Sequence, residues 1–141
     1  MDESQLMLPT VDEYVRAFEA ADAAGKITPK QRKMLIFHHS QSARAVSART
    51  LAESVGFANY NAANLQYGKL GGTITEALGG DYGNTEVGVL VDFVYPNQAA
   101  NAEFLWVMRE RVAIALEEIG WVPKVSTWLY PHKALTRQRS E

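Results

Sequence analysis

Ser47-Ala-Arg-Thr-Leu-Ala-Glu-Ser-Val-Gly-Phe-Ala-Asn-Tyr-Asn-Ala-Ala-Asn-Leu-Gln-Tyr-Gly-Lys-Leu70 decides how this chain folds. Ser47 is a helix N-cap residue, and Leu51, Ala52 and Val55 give the helix that follows an apolar face. Gly56 suits the left-handed position just past a helix end, and Phe57 seals the corner. A second helix is expected from about Tyr60 to Leu70, with Ala62 and Leu65 on its buried face. Two helices around a tight glycine turn, with the small Ala52 where they touch, are what a helix-turn-helix unit requires. The exposed face then carries Asn61, Asn64, Gln66 and Lys69, with Asn59 and Tyr60 at the N-terminal end. Amide side chains can bond bidentately to adenine edges, and Lys or Arg can reach guanine or phosphate.

Working outward, charge supports the same segment. Residues 28–72 hold Lys30, Arg32, Lys33, Arg44, Arg49 and Lys69 against Glu53 alone, a local +5 in a chain of net charge −2. A basic island in an acidic protein is the footprint of a polyanion site, with these six cations as candidate phosphate contacts. The same clustering also occurs on solvated faces that bind nothing.

Two further helix starts precede the segment. Thr10-x-x-Glu13 and Thr28-Pro-x-Gln31 are capping boxes, the first opening a helix that stops near Gly25, the second one that ends near Ser40 or Gln41. Gly71-Gly72 is expected to break the fourth helix, and Thr73-x-x-Glu76 to cap a short fifth. Gly79 to Asn84 reads as a loop, and Val87 to Tyr95, rich in β-branched and aromatic residues, as the best strand. Pro96-Asn97 ends it. A long helix is expected from Ala102 to Ile119, a second strand from Val125 to Tyr130, and a polar tail from His132. The expected fold is α+β and mainly α, a single domain over residues 1–131 with the helix-turn-helix at 28–72 and a tail at 132–141. A winged helix would set a β-hairpin directly behind the second helix. Here a short helix and a glycine loop come first, so a winged-helix-like form is left open.

Leu51-Ala-Glu-Ser-Val-Gly-Phe57, followed by Asn61-Ala-Ala-Asn-Leu-Gln-Tyr-Gly-Lys-Leu-Gly71, resembles the helix-turn-helix module N-terminal to HNH nuclease domains in some bacterial restriction-type proteins. The strand at 87–95 and Leu116-Glu-Glu-Ile-Gly-Trp121 are similar to that module's continuation, so the likeness spans residues 28–122. It implies DNA recognition linked to restriction or defence against foreign DNA, in a bacterial or phage setting. No His-Asn-His motif follows, and the expectation is therefore a reader or accessory subunit rather than a nuclease.

Other chemistry is poorly supplied. The chain has no cysteine, which excludes disulfides, thiolate zinc sites and cysteine nucleophiles. His38-His39 are neighbours pointing about 100° apart on a helix, whereas metal ligands favour i and i+4. One of them is expected to face the core or meet a phosphate. Glu117-Glu118 reads as a solvated helix face, and the glycines at 71–83 fit neither a Walker loop nor a dinucleotide-binding turn. Trp106 falls off the apolar stripe of the expected long helix, which suggests a wide buried face or a partner. With no nucleophile–base set, no enzyme activity and no cofactor are expected. No apolar run is long enough for a membrane span and no signal peptide opens the chain, so a cytoplasmic location is expected. The expected partner is duplex DNA, with a protein partner or homo-oligomer open. The rival reading is a protein-interaction adaptor, phage or defence-system, that docks through the same helical corner.

Overall fold

The computed structural model describes residues 8–79, 86–94 and 104–125. Among the described residues five α-helices and three short strands follow in the order α1 (Val11–Ala23), α2 (Pro29–His39), β1 (Ala45–Ser47), α3 (Ala48–Ser54), α4 (Tyr60–Leu78), β2 (Val91–Val94), β3 (Leu105–Met108) and α5 (Glu110–Glu118). The class is α+β and mainly helical, with one antiparallel sheet in the order β1-β3-β2.

Local chemistry sets the first helices. Both capping boxes form: the Thr10 and Thr28 hydroxyls accept from the Glu13 and Gln31 amides, and those two side chains accept in return from the threonine N–H groups. Gly25 and Gly56 take φ of +72° and +77°, as the turns after α1 and α3 require. The chain enters β1 through a less comfortable reversal, in which Ala43 and Arg44 both adopt positive φ, 55° and 58°.

Four expectations need correction. α4 does not break at Gly71-Gly72 but runs straight through to Leu78, so Thr73 and Glu76 lie in its interior and cap nothing. The glycines serve an approach instead of a break. A Cβ on Gly71 would collide with the carbonyl of Glu86, and one on Gly72 would lie 3.1 Å from the Glu86 carboxylate. The strand expected from Val87 is shorter at its start, because Val87–Val89 forms a 3-10 turn across that glycine contact. The helix expected from Ala102 begins only at Glu110, since Leu105–Met108 is the central strand of the sheet. Trp106 therefore left the helical stripe because it belongs to a strand, where it and Met108 are buried. Glu117 is not solvated; it is 5% exposed and ion-paired, while Glu118 faces water. The expected loop at 80–84, Tyr95 and Pro96-Asn97, the 126–130 part of the second strand and the polar tail lie outside the described residues.

The core joins the layers. α1 packs against α4 and α5, and α3 against α4, around Tyr14, Phe18, Leu35, Leu51, Tyr67, Leu70 and Leu116. An aromatic ladder locks α4 to the sheet: His38 stacks on Tyr67 at 5.8 Å, Tyr67 on Trp106 at 5.1 Å, and Trp106 meets Phe93 edge-on at 6.1 Å.

Candidate nucleic-acid interface

α3 and α4 meet through a short corner: between the end residue Val55 and the N-cap Asn59 lie only Gly56, Phe57 and Ala58. α4 buries Ala63, Tyr67, Leu70, Gly71 and Ile74, not Ala62 and Leu65 as its sequence suggested. The face is rotated because Tyr67 wins the interior. Its hydroxyl lies 2.9 Å from His38 Nδ1, and its ring stacks on Trp106. Leu65, displaced by that choice, is 56% exposed.

The expected contact residues now divide. Tyr60, Asn61, Asn64 and Lys69 lie exposed on the outer side of α4. Asn59 does not join them as a reader. Its Oδ1 accepts from the amides of Asn61 and Ala62, so the acceptor needed for bidentate adenine contact is already used in capping. Gln66 is drawn off the face and takes a 3.2 Å bond from Gln31 Nε2.

Of the six cations, Lys30, Lys33, Arg49 and Lys69 are exposed. Lys30 sits over the Phe57 ring at 4.9 Å, which puts it beside the α3–α4 corner. Arg32, half-buried, covers the Trp121 ring at 4.2 Å. Arg44 is withdrawn from the phosphate set altogether. It is 4% exposed, its guanidinium donates to the His39 carbonyl, and it lies 3.6 Å from the Glu117 carboxylate. Proximity in sequence had placed it in the basic island; the left-handed turn at 43–44 carries it inward.

The two histidines are structural. His38 Nε2 lies 2.9 Å from the carbonyls of both Arg44 and Trp106, so it carries the proton, and Nδ1 accepts from the Tyr67 hydroxyl. Burial lowers its pKa to about 4 and raises that of Tyr67. His39 Nε2 donates to Glu117 over 2.8 Å, and burial lowers its pKa as well. Among the described residues no group of three or more His, Asp or Glu side chains is placed to hold a metal ion.

On its outer side α4 carries Tyr60, Asn61, Asn64, Leu65 and Lys69; further along, the Glu86 carboxylate lies over Gly72, and Glu76 pairs with Lys26 at 3.4 Å. A shallow open groove on this side is lined by Asn64, Leu65, Gly68, Lys69, Gly72, Thr73 and Glu86. Leu65 and Gly68 had not been expected on this face. Nothing in the local sequence marks them, since leucine is more apolar than the tyrosine that displaced it.

Comparison of the chain with protein-family models, curated proteins and solved structures gives no match. Among the described residues no helix is long and apolar enough to cross a membrane.

Proposed function

We propose that this chain binds duplex DNA, with α3 and α4 acting as a helix-turn-helix and α4 as the recognition helix in the major groove. The observation that carries the reading is the outer face of α4's first turns, where Asn61 and Asn64 stand exposed and Lys69 follows two turns later. The N-terminal part of a recognition helix is the part that meets base edges. Lys30 beside the corner, with Lys33 on α2 and Arg49 on α3, supplies candidate phosphate contacts.

Connectivity lends support. A helix, a short strand, two helices and then two strands, with the first strand pairing beside the last, is the order of a winged helix. Here α2, β1, α3, α4, β2 and β3 follow in that order with β3 central. The β2–β3 hairpin is then the wing. The likeness of residues 51–71 to the modules of HNH restriction-type proteins extends the proposal to a reader or accessory subunit in defence against foreign DNA.

The test is fluorescence anisotropy with a labelled random-sequence duplex at low salt. Neutralising the exposed Lys30, Lys33, Arg49 and Lys69 together to Gln is expected to abolish binding, with circular dichroism confirming that the variant is folded. Unchanged affinity in that variant would defeat the reading.

The adaptor reading has one observation in its favour. Phe93, Val94 and Phe104 are each 43% exposed, and Phe93 meets Phe104 at 5.9 Å, an apolar surface on the hairpin suited to a protein. An interface there would be insensitive to salt.

A further inference from the structure

Leu65 is the most exposed of the large apolar side chains among the described residues, at 56%, and it stands on the helix face that carries Asn61, Asn64 and Gly68. These positions, 61, 64, 65 and 68, are one i, i+3, i+4, i+7 surface. An exposed leucine is ordinary by itself. Its setting is not: amide readers flank it, and the next turn presents Gly68, where an added Cβ would meet nothing within 4 Å. Position 68 therefore offers no side chain to hold the helix body away from a docked surface.

In the major groove, adenine offers the donor–acceptor pair that an Asn amide matches, and its partner thymine offers a C5-methyl group that bonds to nothing polar. A face that alternates amide with aliphatic side chain is complementary to that alternation. We infer that α4 reads A·T pairs, with Asn61 and Asn64 directed to adenine and Leu65 packed on a thymine methyl group. The inference rests on the proposed DNA binding and adds to it the class of sequence bound. Lys69 lies one turn beyond Leu65, and the Glu86 carboxylate, held over Gly72 on the C-terminal side of the same groove, limits how far along α4 a phosphate can approach. The first turns of α4 enter the groove and the last turns stay out.

The methyl group can be removed without touching the protein. Binding of the whole chain is measured to alternating dA·dT duplex, to its dA·dU counterpart and to alternating dG·dC duplex. Burying one methyl group is worth about a fourfold change in affinity, so dA·dT is expected to bind about fourfold more tightly than dA·dU, and dG·dC least well. Leu65→Ala, at an exposed position that should leave the fold intact, is expected to bind dA·dT and dA·dU alike. Binding to all three duplexes with equal affinity would overturn the inference and leave the DNA reading standing. A dT-over-dU preference that persists in Leu65→Ala would assign the methyl contact elsewhere and overturn the role of Leu65. Failure to bind any duplex at low salt would overturn the DNA reading itself.

Discussion

At Asn64 and Arg49 two kinds of contact can be told apart. An amide bonded bidentately to a base edge is worth about 1–3 kcal/mol against the preferred sequence and little against random DNA. Asn64→Ala is therefore expected to weaken a selected site and spare a scrambled one. Arg49→Ala should weaken both equally and flatten the salt dependence by about one unit. Paired isotherms on the two duplexes separate the cases, and equal losses for Asn64→Ala would leave only generic attachment. Two small residues test the scaffold behind this face. Gly71→Ala drives a methyl group into the Glu86 backbone and is expected to cost about 1–3 kcal/mol in chemical denaturation. Ala43→Gly relieves a positive φ at an exposed site and should raise stability by up to about 1 kcal/mol. A destabilised Ala43→Gly would contradict the left-handed turn that carries Arg44 inward.

Among the elements, α2, α4, β3 and α5 are tied by buried polar groups as well as by apolar packing. His38 links α2 to α4 through Tyr67, to the turn before β1 through the Arg44 carbonyl and to β3 through that of Trp106. His39 and Arg44 meet α5 at Glu117. Both histidine pKa values are depressed in the fold, so the folded state resists protonation that the unfolded chain accepts. Their stabilisation is complete above the unfolded value of 6.5 and is lost as pH falls, for His38 down to about 4. From 6.5 to about 4, His38 alone accounts for roughly 3 kcal/mol. Thermal midpoints are expected to drop between pH 7 and 4.5, and less steeply in His38→Gln; a flat profile over that range would refute the buried neutral histidine. The same elements mark where sequence was informative. Caps and turn glycines act on neighbours within four residues, and Thr10, Thr28, Ser47 and Gly56 were legible for that reason. What failed depended on distant partners. Gly71 is shaped by Glu86, Trp106 by strands on both sides, and the phase of α4 by a tyrosine reaching His38. On the candidate face Asn61, Asn64 and Lys69 were legible as polar positions. Arg44, Asn59 and Leu65 were not, because an ion pair, a cap and an aromatic stack assign them.

For the molecule as a whole, the net charge of −2 opposes association with a polyanion, and attraction must come from a local cation set. Four of the six lysines and arginines in residues 28–72 are exposed, whereas Arg44 is buried and Arg32 covers Trp121. Apolar docking through Phe93 and Phe104 would draw on none of them. Salt therefore decides between the two at the level where they differ most. Affinity for a random-sequence duplex is measured from low to physiological ionic strength, and log K is plotted against log[salt]. Four phosphate contacts predict a slope of about −3 to −4; a slope near zero, or no binding at the lowest salt, would contradict DNA binding by this face.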